Sequence, residues 1–273
     1  MSVPEVPEAE MPRHEPPALN VPGPVLALLA LMAGMFVLYD QSSPDGQDQM
    51  ILWLALFPAR ILAPTGENLI WPGGVAGDFW TFITYTFMHG SWTHLIVNSV
   101  WLLAFGSALA RRLGAVRFYL FYFTCGIAGA VLHVALNAGS MVPIVGASAA
   151  LSGLMGGAAR FIFLSDGPLG GLMRIGRDGL PIMSRGRMSI MGALTDRRSM
   201  IFIVVWLGLN FLFGPTGLSA AVGSSAAVAW EAHMGGFLAG LLLFGLFDPL
   251  QFSASGGPGN VDYGQWLGPR DGR

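Results

Sequence analysis

Charged residues are scarce in this 273-residue chain. They make up 11% of it, whereas hydrophobic residues make up 53%, and a soluble domain usually carries about 25% charged residues. The mean hydropathy is +0.58. So few charges could not cover the surface of a soluble protein of this length. We therefore predict an integral membrane protein.

Lysine is absent, because all 14 basic residues are arginine. This excludes chemistry that needs a lysine base or a lysine Schiff base. The single cysteine, Cys125, can form neither an intramolecular disulfide nor a cysteine metal cluster. The net charge of −2 gives no support for nucleic-acid binding, so we expect no nucleic-acid partner.

Six apolar segments are candidates for membrane-spanning helices, which need roughly 20 residues each. They are residues 24–39, 91–109, 116–137, 144–165, 200–218 and 229–247. A further apolar stretch, 50–63, is too short to span and is interrupted by proline and arginine, so we expect it at the membrane interface. We predict an all-α, six-helix transmembrane bundle over 24–250, with a disordered N-terminal tail (1–23) and a flexible C-terminal tail (251–273).

The arginines are distributed unevenly about these spans. Six spans put both tails and the loops after spans two and four on one side, which collects 13 of the 14 arginines and leaves only Arg60 on the other. Because cytoplasmic loops are enriched in arginine, we expect both termini to be cytoplasmic. Residues 166–199 would then form a cytoplasmic loop whose arginines lie on a solvated, lipid-facing surface.

Few polar side chains occur within the predicted spans, where polarity is costly and suggests function. His94 and Asn98 follow the outer start of span two, Ser148 that of span four, and His233 that of span six. At a rise of about 1.5 Å per residue, all four lie roughly 5–10 Å below the outer boundary. Three helices therefore contribute polar groups to one shallow layer.

Small residues recur at helical spacing behind two of these side chains. Ser152 and Gly156 follow Ser148 at intervals of four, and Gly236 follows His233 after three. Such faces let membrane helices approach closely. We therefore expect Ser148 to lie near the imidazole of His233, although each residue taken alone also fits a purely structural helix contact.

A serine beside a histidine is the minimum for nucleophilic acyl chemistry. The imidazole accepts the hydroxyl proton during attack and returns it to the leaving amine. The tetrahedral intermediate needs donors for its oxyanion, which His94, Asn98 and the N–H of Ser148 could supply, while Gly146 would let a carbonyl approach closely. No aspartate is available for a triad, and Glu231 faces another side of its helix.

Three motifs in this sequence resemble those of the rhomboid family of intramembrane serine proteases, and together they extend across most of residues 79–247. H-x4-H-x3-N runs from His89 to Asn98, and G-x-S ends at Ser148, where a helix opens. A-H-x-x-G-x-x-x-G runs from Ala232 to Gly240. Each motif is weak alone, but all three occur in the family order on the expected helices.

The resemblance implies a six-helix rhomboid-like fold and a role for each site residue. Ser148 would be the nucleophile and His233 the general base, with His94, Asn98 and Gly146 at the oxyanion site. It also implies that the substrates are transmembrane segments of other membrane proteins, cut near the membrane surface beside small side chains. The expected location is a bacterial inner membrane.

We expect no cofactor and no metal. No carboxylate completes a zinc site with the histidines, and no H-E-x-x-H motif occurs. Two residues depart from the family pattern: Thr81 stands where an arginine often follows Trp80, and Ala149 stands where glycine commonly follows the serine.

Two other functions compete with proteolysis. A catalytically weak or inactive relative would bind transmembrane helices without cutting them. A polar-solute channel would also need polar residues in the membrane, but the polar set stops at the outer layer, which argues against a pore. The sequence gives no indication of the oligomeric state.

Overall fold

The computed structural model of this protein describes a chain that is largely helical. The described residues are 21–62, 70–164, 167–169, 186–214 and 229–249. The helices are α1 (Gly23–Asp40), α2 (Pro44–Leu54), α3 (Pro58–Ile61), α4 (Gly74–Thr84), α5 (Trp92–Leu113), α6 (Ala115–Leu136), α7 (Ser148–Ala158), α8 (Ile190–Thr195), α9 (Arg197–Phe213) and α10 (Trp230–Phe247).

Four of these helices, α1, α5, α6 and α10, are long and apolar enough to cross a membrane. The predicted all-α membrane class is therefore confirmed. The helices within the predicted fourth and fifth spans are shorter, with 11 residues in α7 and 17 in α9. Parts of those two spans, 165 and 215–218, lie outside the described residues, so the count of six remains a prediction. The predicted C-terminal tail (251–273) and residues 1–20 of the predicted N-terminal tail also lie outside the described residues.

Helix α7 begins four residues later than the start of the predicted span at 144. Ile144 is extended instead, because its N–H donates to the carbonyl of Leu56 at 2.9 Å and its carbonyl accepts from the N–H of Leu56 at 3.3 Å. This single bridge ties the chain before α7 to the segment between α2 and α3. Consequently, Ser148 is the first residue of its helix.

Helices α7 and α10 pack at nearly backbone-to-backbone distance. A methyl group on Gly236 would collide with the carbonyl oxygen of Ala149, and one on Gly240 would collide with that of Gly153. Only glycine permits this approach, as is usual at close helix contacts in membranes. The first turns of α7 and α10 are thereby held against each other.

The segment between α1 and α5 is organised around Arg60, whose side chain is fully inaccessible. Its guanidinium donates to the Asp78 carboxylate at 2.9 Å and to the carbonyls of Pro72 at 2.6 Å and Gly74 at 3.2 Å. Thr81, where the motif often has arginine, is also buried and only donates back to its own helix. Arg60 therefore supplies this segment with a buried guanidinium that position 81 lacks.

The cytoplasmic location of residues 166–199 stays a prediction, but the structure differs from a plain solvated loop in two respects. Helix α8 and the start of α9 fall within this segment, so part of it is not a loop. Arg187 is not a solvated side chain, because its guanidinium donates to the carbonyl of Gly245 at 3.0 Å and lies 3.4 Å from the buried carboxylate of Asp248. Arg112 contacts the same carboxylate at 2.8 Å. Both arginines thus compensate a buried charge at the end of α10.

Three other arginines of that segment, Arg174, Arg177 and Arg185, lie outside the described residues. Arg197 and Arg198 are exposed, as expected.

Candidate active site

Ser148 and His233 meet where the first turns of α7 and α10 touch. The hydroxyl oxygen of Ser148 lies 2.7 Å from Nε2 of His233. Both residues are partly accessible, whereas their neighbours Ala149 and Ala232 are buried. The distance is suitable for direct proton transfer between the hydroxyl and the imidazole.

Gly146 shapes the backbone immediately before the serine. Its φ of +114° lies in the region that disfavours side chains, and its N–H donates to the carbonyl of Tyr85 at 2.9 Å. A methyl group there would lie 2.6 Å from the His94 ring and 3.6 Å from Nδ2 of Asn98. The structure therefore brings His94 and Asn98 of α5 to the backbone that precedes Ser148.

Asn98 carries an unused hydrogen-bond donor. The residue is 2% exposed, and its buried Nδ2 has no partner among the described residues. A buried amide without an acceptor costs free energy. The first turn of α7 adds backbone N–H groups without a side-chain cap. Nδ2 of Asn98 and the backbone N–H groups that open α7 therefore border the same space beside the serine.

Ala149 does not narrow this space. Its methyl group faces α6, because a methyl built on Gly129 would lie 2.9 Å from it. The departure from glycine at this position is thus accommodated by packing between α6 and α7.

Comparison with known proteins identifies the family. Residues 76–248 match the family model of the Rhomboid domain. The chain belongs to the rhomboid family. It is a multi-pass membrane protein of a family that includes serine proteases.

Three rhomboid relatives illustrate the range of similarity. YdcA of Bacillus subtilis (strain 168) is 40% identical over 121 residues, which cover 40% of this chain and 55% of the relative. RHOMBOID-like protein 5 of Arabidopsis thaliana is 25% identical over 258 residues, covering 87% and 72%. Rhomboid protease GluP of Bacillus subtilis (strain 168) is 33% identical over 90 residues, covering 33% and 17%. The chain thus matches about half the length of YdcA, and less of GluP.

Two further histidines among the described residues, His89 and His133, have partners other than Ser148 and His233. Burial lowers the pKa of the His89 imidazole to about 4, and the neighbouring His94 ring adds to this effect. His89 is therefore neutral at physiological pH, with Nδ1 3.3 Å from the carbonyl of Phe87. His133, on α6, contacts α10 instead: its Nδ1 lies 3.4 Å from the Glu231 carboxylate. Glu231 thus pairs with α6, in agreement with the expectation that it completes no triad.

Sequence reasoning missed one residue of this rhomboid site. Oδ1 of Asn210, on α9, lies 2.7 Å from Nδ1 of His233. Asn210 falls outside the three rhomboid motifs, so the resemblance gave no indication of it. It is, however, one of the few polar side chains within the predicted spans, and it lies near the C-terminal end of α9. That position made Asn210 a candidate site residue, but it did not indicate that Asn210 contacts His233.

Proposed function

We propose that this rhomboid protein is an intramembrane serine endopeptidase that cleaves transmembrane segments of other membrane proteins with a Ser148–His233 dyad. The observation that carries the proposal is the 2.7 Å hydrogen bond between the Ser148 hydroxyl and Nε2 of His233. A serine held this way in a partly accessible position is a nucleophile with its base already in contact.

The reaction divides into two steps. Oγ of Ser148 attacks the carbonyl carbon of the scissile peptide while its proton passes to Nε2 of His233. The tetrahedral intermediate then collapses, and the imidazolium protonates the leaving amine, which releases one fragment and leaves an ester on Ser148. A water molecule, deprotonated by the same Nε2, hydrolyses the ester and releases the second fragment as a carboxylate.

The negative charge of the tetrahedral intermediate falls beside Asn98, His94 and the start of α7. The unpartnered Nδ2 of Asn98 supports an oxyanion site here, because a bound oxyanion would accept the hydrogen bond that the described residues leave unmade. Gly146 leaves room for this site because it has no side chain; any side chain there would collide with the His94 ring.

The proposed location is a bacterial inner membrane with both termini in the cytoplasm. The excess of arginine on one side supports this orientation. Arg60 is the one exception, and its charge is compensated by the Asp78 carboxylate. The same orientation puts the dyad near the outer surface, where transmembrane substrates with small side chains near their ends would be cut.

The test is cleavage of a model transmembrane substrate in liposomes by wild type, Ser148→Ala and His233→Ala. We expect each variant to lose at least about 10³-fold in kcat. Ser152→Ala is the matched control, because its hydroxyl lies one turn further along α7 and donates only to the carbonyl of Ser148 at 2.7 Å. That variant should keep most of the activity.

Two outcomes would contradict the proposal. Cleavage that persists in Ser148→Ala would refute the nucleophile. A wild type that neither cleaves nor reacts with a fluorophosphonate, yet binds the substrate, would favour the alternative, a rhomboid-like protein that holds transmembrane helices without cutting them.

A further inference from the structure

We propose that Asn210 is a positioning residue that fixes His233 in the tautomer protonated on Nδ1, leaving Nε2 free to act as the base. The catalytic consequence rests on the proposed function, whereas the choice of tautomer rests on contacts alone. Asn210 lies on α9, His233 on α10 and Ser148 on α7, so three helices meet at one imidazole.

The Asn210 amide directs its oxygen, and not its nitrogen, at the His233 ring. Nδ2 of Asn210 lies 2.8 Å from the carbonyl oxygen of Trp206, one turn earlier on α9. A carbonyl oxygen only accepts hydrogen bonds, so the amide nitrogen must be the group directed toward it. The amide oxygen is then the atom directed at His233, 2.7 Å from Nδ1.

The oxygen of the Asn210 amide determines which nitrogen of His233 is protonated. An amide oxygen accepts and never donates, so Nδ1 of His233 must carry a proton. In neutral imidazole only one nitrogen is protonated. Nε2 therefore presents its lone pair, and it faces the Ser148 hydroxyl at 2.7 Å. The Trp206 carbonyl thus sets the protonation of the histidine through the Asn210 amide.

The groups around His233 leave this role to Asn210. The carboxylate nearest in sequence, Glu231, lies against His133 on α6. His94 on α5 approaches from the side of Gly146. Among the described residues, the partners of the His233 ring nitrogens are Asn210 and Ser148. The orienting acceptor is therefore neutral, and it introduces no charge into the bilayer, where an ionised carboxylate is costly.

A second contact between α9 and α10 lies one helical turn from the hydrogen bond between Asn210 and His233. The Trp206 ring stacks on Phe237 with centroids 4.3 Å apart and planes 15° apart. Phe237 lies one turn after His233, as Trp206 lies one turn before Asn210. Two successive contacts between antiparallel helices thus fix α9 relative to the dyad, one through rings and one through the hydrogen bond.

The kinetic test compares Asn210→Leu with wild type in liposomes. Leucine has a similar shape but no acceptor, so we expect kcat to fall about 10- to 100-fold while KM stays within about twofold. Asn210→Asp keeps an oxygen acceptor and should have a kcat above that of the leucine variant by about tenfold. Phe211→Leu is the control, since its side chain on the same turn is exposed.

A direct readout is the ¹⁵N spectrum of histidine-labelled protein, with the His233 signals assigned by difference against His233→Ala. Wild type should show protonated Nδ1 and unprotonated Nε2, and Asn210→Leu should show a mixture of tautomers. This readout does not require activity. An inactive wild type with protonated Nδ1 would refute the proposed function and leave the tautomer assignment intact.

Two results would overturn the inference. One is a wild-type spectrum with the proton on Nε2. The other is an Asn210→Leu variant whose kcat remains within about twofold of wild type while its spectrum is unchanged.

Discussion

Helices α7 and α9 both contact the imidazole of His233, but they are anchored very differently. In α7 every residue after Ser148 is buried, and Gly153 and Gly156 lie against the backbone of α10. In α9 only Ser199, Ile203 and Trp206 are buried among 17 residues. The position of the nucleophile is thus fixed by backbone packing, whereas the orientation of the base depends on side chains of a peripheral helix.

The difference predicts two kinds of sensitivity. A change in the contact between α7 and α10 must displace the backbone, so it should impair folding and catalysis together. A change on α9 leaves that backbone in place, so it should alter turnover with little effect on stability.

Gly236→Ala should have the largest combined effect, because it should impair both folding and catalysis. Its methyl group would collide with the carbonyl of Ala149, so α7 and α10 must separate, and Ser148 must move away from His233. Overpacking of this kind costs about 1–3 kcal/mol in the free energy of unfolding. We expect a lower Tm in detergent and at least about tenfold slower cleavage.

Gly208→Ala on α9 is the matched control, because a methyl group there meets no atom within 4 Å. It should leave Tm and cleavage near their wild-type values. If both alanine variants behaved alike, the proposed difference between the two contacts would be refuted.

Asn98→Leu should separate catalysis from stability. Removal of one oxyanion donor typically lowers kcat about 10²- to 10³-fold. The unfolding free energy should not fall, since the buried Nδ2 has no partner to lose among the described residues. Kinetics in liposomes and thermal unfolding of the same preparation provide the measurement, and a large drop in Tm at normal kcat would indicate a structural role instead.

Trp206→Leu should have the smallest effect. It removes the stack on Phe237, worth about 0.5–1.5 kcal/mol, and loosens the turn of α9 that carries Asn210. We expect kcat to fall about two- to fivefold, with little further loss when Asn210→Leu is added, because both act through the same imidazole. Trp101→Leu, half-exposed on α5, is the control. Fully additive losses in the double variant would mean that Trp206 acts independently of Asn210.

The sequence predicted the parts of the site that depend on helix faces. The helical spacing of small residues after Ser148 and after His233 predicted that α7 and α10 would be in contact. The depth of His94 and Asn98 anticipated that they would lie level with the serine. These features follow from the helical repeat and from the cost of polar groups in lipid, both of which can be deduced from a linear pattern.

Other features could not be deduced in this way. The buried role of Arg60 depends on carbonyls at 72 and 74 that a turn brings to it, and no periodicity encodes that contact. The start of α7 at Ser148 depends on the bridge between Leu56 and Ile144, which are distant in sequence. The contact of Asn210 with His233 requires the relative rotation of two helices, which a single amphipathic pattern does not fix.

The central claim is that Ser148, activated by His233, is the nucleophile of this rhomboid protein. The most direct measurement is mass-spectrometric mapping of the residue that a fluorophosphonate modifies in the membrane-embedded protein. We predict a single adduct on Ser148, lost in His233→Ala and retained in Ser152→Ala. An adduct on another residue, or an unchanged labelling rate in Ser148→Ala, would contradict the account.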